Sequence, residues 1–406
     1  MRFIAISGFV SLTSILSGCG DNTKTPSTTD APSTTDGPAT SAGPTGTSGT
    51  TGAPVTTFTP RPTIPPTSNC PGRRLGQYTW GTELWRQGST ELSDFFATAA
   101  GKDWACGDVT INIGDYTEVT LIAHKEDIVP FIQAYRAASQ NFESVVWLSY
   151  GDVVSADGSL METFVDTFFT WAASLSSETV NTLGSIGLSF DVEHMPAAST
   201  KSALQKAQSL KASTNFPAGK LLVQHTIEGN PNPDGADYVM KYADSALIML
   251  YRNYMTSPIF NADSNILSRA NYFLKDQCVH CLDDAYAAAN YQAKITFMVE
   301  ATCSRTTDYC AKISFCAHDQ PGEGAVYLWN TLQALEAAMF DSGLLTPAEF
   351  ERLFNPLTTF SVHDWGWFRC FAPLPESTSY AQCNNFFAEA EVCRNTIGPA
   401  ETTPAP

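Results

Sequence analysis

The sequence is poor in positive charge. Lysine and arginine together number 23 against 41 aspartate and glutamate residues, which gives a formal net charge of −18. No stretch rich in Lys and Arg occurs, so neither nucleic acid nor an anionic membrane surface is expected as a partner. A neutral or cationic ligand fits this charge better.

Several motifs are also absent. The chain has no Gly-x-Gly-x-x-Gly and no P-loop pattern, which argues against a nucleotide site. It has no Asn-x-Ser/Thr sequon, so N-glycosylation is not expected. An amidohydrolase barrel would carry His-x-His on its first strand, whereas the segment Thr79–Thr82 has none. We expect no metal and no cofactor, although four of the six histidines fall near predicted strand ends, namely His124, His194, His225 and His363.

The amino-terminal part predicts secretion rather than membrane insertion. Met1-Arg2 and the apolar run Phe3–Leu16 are typical of a signal peptide, placed at residues 1–19, and are too short for a membrane span. Leu16–Cys19 also fits a bacterial lipoprotein box, in which Cys19 would be lipidated. Residues 20–69 form a Ser/Thr/Pro/Gly-rich linker without a core, residues 70–396 the folded domain, and residues 397–406 a disordered tail.

Ten cysteines remain after Cys19, an even number that predicts disulfides in a secreted chain. Cys278-Val-His-Cys281 has the spacing of half a zinc site, but no second half follows, so a disulfide is preferred there as well. The pairing does not follow from the sequence.

Strand-like and helix-like segments alternate eight times between residues 77 and 393. This order predicts a (β/α)8 barrel, or TIM barrel, with an open doubly wound sheet as the alternative. The predicted strands are Gln77–Trp80, Val119–Ala123, Val145–Tyr150, Ile186–Glu193, Leu221–Thr226, Ala246–Tyr251, Ile295–Ala301 and Thr359–Asp364.

The fourth predicted strand carries the strongest chemical signal. Leu188, Phe190 and Val192 alternate with polar residues that include Asp191 and Glu193, so one face is apolar and the other holds two carboxyl groups. Active-site groups of such barrels lie at the carboxyl ends of the strands. Two neighbouring carboxyl groups raise each other's pKa, which suits Glu193 to act as a general acid.

These segments resemble glycoside hydrolase family 18, which contains chitinases and chitinase-like proteins. That family has Asp-Gly-x-Asp-x-Asp-x-Glu on its fourth strand, and Ile186–Glu193 keeps the Gly and the final Asp-x-Glu but replaces the first two acids. Ser149–Asp152 is similar to the family's Ser-x-Gly-Gly on the third strand. Met249–Arg252 is similar to its Met-x-Tyr-Asp on the sixth, and Trp365 to the Trp that ends the eighth.

The resemblance implies a chitinase-like enzyme that binds a polysaccharide or oligosaccharide. Glu193 would protonate the glycosidic oxygen, Asp191 would polarise the substrate's acetamido group, and Tyr251 would hydrogen-bond its oxygen. The similar family has an acid at the position of Ser189, and that acid helps its neighbour to take up and release a proton. Its replacement by Ser189 is therefore expected to affect turnover. We expect a monomer, with further substrate contacts from strand-end residues, namely Trp365, Trp80, Tyr150, Gln224, Met249, Arg252 and Glu300.

Two alternatives stay open. In the first, Glu193 and Glu300 act as acid/base and nucleophile of a retaining glycosidase, which requires carboxyl groups about 5 Å apart. That class usually has Asn before the strand-four Glu, where this chain has Val192. In the second, aromatic residues at the barrel mouth bind sugar without catalysis, as in a lectin.

Overall fold

A computed structural model describes most of the predicted domain. All described residues belong to one compact unit that spans Pro60–Pro406. They comprise 74–79, 85–88, 107–114, 121–139, 143–151, 159–192, 196–228, 233–253, 255, 265–300, 313–315 and 324–363.

Eight parallel strands form a closed barrel in the order β1 to β8, which confirms the predicted fold class. Each strand pairs with the next one along the chain, and β1 closes the ring by pairing with β8, where Tyr78 lies opposite His363. The strands are β1 Arg74–Thr79, β2 Val109–Asn112, β3 Val145–Gly151, β4 Ser185–Asp191, β5 Leu221–Ile227, β6 Ser245–Met249, β7 Lys294–Glu300 and β8 Thr358–His363.

Helices follow most of the strands, as a βα repeat requires. Among the described residues they are α1 Lys125–Ser139, α2 Ser159–Ser174, α3 Ser177–Leu183, α4 Ala197–Leu210, α5 Pro233–Tyr242, α6 Ile266–Tyr272, α7 Asp284–Asn290, α8 Gly324–Asp341 and α9 Pro347–Leu353. A 3₁₀ turn, Lys211–Ser213, extends α4, and a π-helical turn, Phe273–Gln277, follows α6.

Local sequence signals explain where several helices begin. Ser176 caps α3 by accepting a hydrogen bond from the Thr179 amide. Thr346 and Glu349 form a reciprocal capping box at α9, with Pro in the first turn. These side chains satisfy amide groups that have no partner within a helix, so the short helices start at defined residues.

The barrel wall separates two cores. The large one lies between the strands and the helices and includes Leu188, Phe190 and Val192 of the β4 segment. The small one lies inside the barrel and consists of Tyr78, Leu247, Met249 and Met298, with Tyr251 packed against it. The apolar face predicted for the fourth strand therefore packs outward on the helices, and its polar face points into the barrel.

The second strand differs from the prediction. The sequence favoured Val119–Ala123, but β2 is Val109–Asn112, and the described part of the predicted segment contributes only an isolated bridge between Ile122 and Gly114. The reason is pairing and burial: all four residues of β2 are buried and pair with β3, whereas Leu121 is 44% exposed. His124 thus precedes helix α1 and does not end a strand.

The amino-terminal end of the barrel is filled by Trp147 and a buried carboxylate. Asp108 accepts hydrogen bonds from the Trp147 indole at 3.0 Å and from the Val145 amide at 2.8 Å. Burial raises the pKa of Asp108, and these hydrogen bonds oppose that rise. Gly187 faces the Trp147 ring, and a Cβ at this position would lie 2.2 Å from it. The chain therefore requires glycine at Gly187 for a steric reason.

Cys278 and Cys281 form a disulfide, as expected, and the other eight cysteines of the domain lie outside the described residues. Within the described part of the chain, no helix is both long enough and apolar enough to cross a membrane.

Candidate active site

Asp191 lies at the carboxyl end of β4 with its side chain inside the barrel, and the residue is 5% exposed. The Tyr78 hydroxyl of β1 donates a hydrogen bond to Asp191 Oδ2 at 2.9 Å. The same hydroxyl lies 2.7 Å from Ser149 Oγ on β3. Because the single proton of Tyr78 is directed to Asp191, Ser149 acts as donor to Tyr78. Three strands therefore fix the orientation of one carboxylate.

A row of neutral polar side chains lies in the barrel beside Asp191. Ser189 Oγ donates to Gln224 Oε1 at 2.9 Å, and Gln224 Nε2 donates to Ser245 Oγ at 3.0 Å. All three residues are less than 5% exposed. Ser189, which replaces an acid of the similar family, is thus held in a neutral hydrogen-bonded row, and Gln224 uses both ends of its amide there.

A second buried carboxylate lies at the carboxyl end of β7. Glu300 is 1% exposed, and its Oε2 lies 2.8 Å from His363 Nδ1 at the end of β8. The His363 ring is 5.4 Å from the Tyr78 ring and 6.0 Å from the Tyr251 ring, measured between centroids. His363 therefore connects the Glu300 side of the barrel with the Asp191 side.

His363 was not among the residues predicted to form the site. The available signal was its position at the end of the eighth predicted strand. Three other histidines also lie near predicted strand ends, so this position alone does not single out His363. Only the register, which sets Glu300 opposite His363 and Tyr78 opposite His363, identifies this histidine as the one inside the barrel.

The segment after β6 contributes Tyr251 and Arg252. Tyr251 has a φ of 20°, a backbone conformation that residues other than glycine rarely adopt. Arg252 Nη1 donates to the Tyr251 carbonyl at 2.7 Å. Met249, two residues earlier at the end of β6, is buried in the small core inside the barrel. These positions bring Tyr251 beside His363 at the same end of the barrel as Asp191.

Tyr150 differs from the other predicted site residues. Its ring stacks on Phe164 of α2 with centroids 3.9 Å apart, and the residue is 1% exposed. This packing belongs to the layer between the barrel and the helices, because neighbouring Ser149 points inward. Burial raises the pKa of the Tyr150 hydroxyl to about 12.

Glu193, Trp80 and Trp365 lie outside the described residues. The described chain ends at Val192 on the amino-terminal side of Glu193 and resumes at Pro196.

The histidines near predicted strand ends do not converge among the described residues. His225 packs outward near Phe190, with ring centroids 6.1 Å apart, whereas His363 lies inside the barrel. His124 lies near Glu126 and Asp127 at the start of α1, on the surface. His194 is outside the described residues.

The closed ring of eight parallel strands, with helices outside, defines a (β/α)8 barrel. Its candidate site lies where this class carries its chemistry, at the carboxyl ends of the strands. No protein-family model and no curated protein matches the sequence.

Several solved structures are similar over most of the chain. The xylanase–α-amylase inhibitor protein XAIP-I, in complex with trehalose, is 13% identical with a TM-score of 0.39 and covers 78% of this chain and 97% of its own. A GH18 chitinase from Pseudoalteromonas aurantia is 9% identical, with a TM-score of 0.38 and coverages of 78% and 99%.

The ChiA C-terminal domain of Legionella pneumophila is 14% identical, with a TM-score of 0.36 and coverages of 80% and 98%. Because these identities and TM-scores are low, the fold class rests on the strand topology described above. No activity follows from these likenesses.

Proposed function

We propose that this protein is a chitinase-like glycoside hydrolase that cleaves β-linked N-acetylglucosamine glycans. The observation that carries the proposal is the Asp191 carboxylate, held inside the carboxyl end of the barrel by the Tyr78 hydroxyl at 2.9 Å. A fixed negative charge at this point can align a substrate amide and stabilise positive charge that develops in the transition state.

The proposed reaction uses the substrate's own acetamido group as nucleophile. Glu193 donates a proton to the glycosidic oxygen while the bond from that oxygen to the anomeric carbon breaks. The acetamido carbonyl oxygen bonds to the anomeric carbon and forms an oxazolinium ion, whose N–H donates to Asp191. Water then attacks the anomeric carbon, the bond from that carbon to the acetamido oxygen breaks, and the N-acetyl group is restored. The water gives its proton to the Glu193 carboxylate, which restores the acid.

Other residues have binding roles in this proposal. Tyr251 donates a hydrogen bond to the acetamido oxygen. Its ring lies beside His363 and packs against the small core inside the barrel. Trp365 and Trp80 would stack on sugar rings, since aromatic faces pack well against them. Met249, Gln224 and Arg252 would line the floor and rim of the cleft.

The test is product release from chitooligosaccharides by the full chain. We expect Glu193→Gln and Asp191→Asn each to lower kcat by about 10²- to 10⁴-fold, the range that a positioned acid or electrostatic partner contributes. Glu178→Gln is the matched control, because Glu178 is an exposed acid in the first turn of α3. Full activity in Glu193→Gln would contradict the proposal. Chitin binding that survives both substitutions, without turnover in wild type, would indicate the lectin-like function.

A second scheme has one supporting observation. Glu300 lies inside the barrel at the end of β7, 1% exposed, where a nucleophile of a retaining glycosidase would lie. In this scheme Glu193→Gln and Glu300→Gln both abolish hydrolysis of β-glucans that lack an N-acetyl group. The acetamido mechanism is favoured if wild type hydrolyses only substrates with an N-acetyl group and Glu300→Gln remains active. In that mechanism no covalent intermediate forms on Glu300.

The proposal includes secretion of the protein. The signal-peptide pattern at residues 1–19 and the Ser/Thr/Pro-rich stretch at 20–69 support a secreted monomer on an extended stalk, with Cys19 as the lipid-bearing residue if the host is bacterial. Mass spectrometry of the exported chain tests this, because its amino terminus reveals both cleavage and lipidation.

A further inference from the structure

A cavity of about 290 Å³ lies at the end of the barrel opposite the candidate active site. It is formed at the start of β7, the strand whose other end carries Glu300. Its wall includes Tyr291 and Gln292 after helix α7, Lys294 at the start of β7, and Arg352 near the end of α9. Two of these side chains are cations, in a chain with a net charge of −18.

Lys294 is a partly buried cation in the wall of this cavity. Its Nζ donates to the main-chain carbonyl of Arg352, and within the described residues no carboxylate pairs with it. An ammonium group has three donors, so two remain. Burial lowers the pKa of Lys294, and the neighbouring Arg352 charge lowers it further. A bound anion would oppose both effects.

Arg352 is oriented by its surroundings but keeps donors of its own. Its Nη2 donates to the Cys281 carbonyl at 3.0 Å and to Asp284 Oδ1 at 2.8 Å. The Asp284 side chain is 73% exposed, so water screens much of this pair. In the part of the chain that the structure describes, Nε and Nη1 have no acceptor.

The carboxylate that hydrogen-bonds to the lining residue Tyr291 already has a cationic partner. Tyr291 donates to Asp237 Oδ1 at 3.0 Å, and Lys241 pairs with Asp237 Oδ2 at 2.7 Å. Asp237 is thus shared with Lys241, and Asp284, which pairs with Arg352, is mostly exposed.

We propose that this cavity binds the oxyanion group of a small ligand, a carboxylate or a phosphate, between Lys294 and Arg352. Arg352 has N–H donors left at Nε and Nη1, and the Lys294 ammonium adds a point charge, so one oxyanion can accept hydrogen bonds from both side chains. The volume, close to 300 Å³, is at the small end of ligand pockets. Because Lys294 and Glu300 are the two ends of one strand, the ligand would be distinct from the substrate.

The experiment measures binding of succinate and of inorganic phosphate to the full chain by calorimetry. We expect millimolar affinity for at least one of them, and at least a tenfold loss in Lys294→Met. Lys275→Met is the matched control, because Lys275 is an exposed lysine outside the cavity, and it should bind as wild type does. Succinate alone identifies a carboxylate site, and phosphate alone a phosphate site. No binding of either to wild type, or equal binding by Lys294→Met, overturns the proposal.

A second measurement does not depend on the folding of a variant. Acetic anhydride labels accessible lysines of the wild-type chain, and mass spectrometry reads each site separately. Succinate or inorganic phosphate, whichever binds, should slow acetylation of Lys294 several-fold and leave the acetylation rate of Lys275 unchanged. Equal labelling of Lys294 with and without the anion would refute the site. Neither readout uses hydrolytic activity, so failure here is distinguishable from failure of the proposed function.

Discussion

We expect His225 to make the stability of the barrel depend on pH. It lies on β5 and is 5% exposed, with its Nδ1 2.6 Å from the Thr226 carbonyl. Since a carbonyl only accepts, Nδ1 carries the proton, and neutral Nε2 is then an acceptor. The described residues give Nε2 no hydrogen-bond partner. Burial lowers the pKa of His225 from 6.5 to about 4.

The direction of the pH dependence follows from the difference in proton binding between the unfolded and the folded chain. The unfolded chain takes up the histidine proton as pH falls below 6.5, whereas the folded chain resists until about pH 4. Stability from His225 is thus complete above pH 6.5 and is lost as pH falls toward 4. Between about pH 7.5 and pH 4.5 the loss is about 2.5 kcal/mol, since one pKa unit corresponds to about 1.4 kcal/mol.

Urea unfolding, followed by tryptophan fluorescence at constant ionic strength, measures this loss. The matched variant is His225→Asn, whose amide can still donate to Thr226 and does not titrate. The variant starts less stable because it lacks the ring, but its free energy of unfolding should fall by about 2.5 kcal/mol less than that of wild type over the same pH range. Equal falls, within about 0.5 kcal/mol, would refute the buried neutral histidine.

Three substitutions test other contacts. Gly187→Ala places a Cβ 2.2 Å from the Trp147 ring, so calorimetry should show a loss of about 1–3 kcal/mol or more. Asp108→Asn replaces one acceptor oxygen by an amide N–H₂ that faces the N–H of Val145 or Trp147. The free energy of unfolding should therefore fall by about 1–3 kcal/mol. Tyr78→Phe removes the hydrogen bond to Asp191, and kcat on chitooligosaccharides should fall about 10- to 100-fold with little change in KM.

Each substitution has a control of the same type. Gly235→Ala meets no atom within 4 Å, and a loss as large as that of Gly187→Ala would contradict the steric argument. Asp166→Asn alters an acid whose side chain is 57% exposed, and equal losses would show that burial is not the cause for Asp108. Tyr272→Phe removes a hydroxyl from a 41% exposed residue, so a matching fall in kcat would argue against a specific role of Tyr78.

The sequence predicted the parts of the fold that local periodicity determines. The alternation of Leu188, Phe190 and Val192 with polar residues identified both the fourth strand and the face that points into the barrel. The prediction of the second strand was wrong because Val109–Asn112 has only four residues, although its apolar and polar residues do alternate. Val119–Ala123 is apolar enough to imitate it.

The candidate site was predictable only in part. Asp191 follows from its position at a strand end, but its partner Tyr78 is 113 residues away and is brought there by barrel closure. The Glu300–His363 pair likewise depends on register between β7 and β8. The cavity lined by Lys294 and Arg352 forms where the end of α9 meets the start of β7, and no sequence motif marks that contact.

The Tyr78 hydroxyl has a consequence for the order of folding. Its contacts with Ser149 and Asp191 join positions 71 and 113 residues apart, and β1 is held in the ring through β8 at the far end of the domain. Contacts between such distant positions form late, because the loop entropy must be overcome first. Asp191 is therefore oriented only when the ring closes. In refolding experiments, recovery of activity should lag behind recovery of helical structure and report ring closure itself.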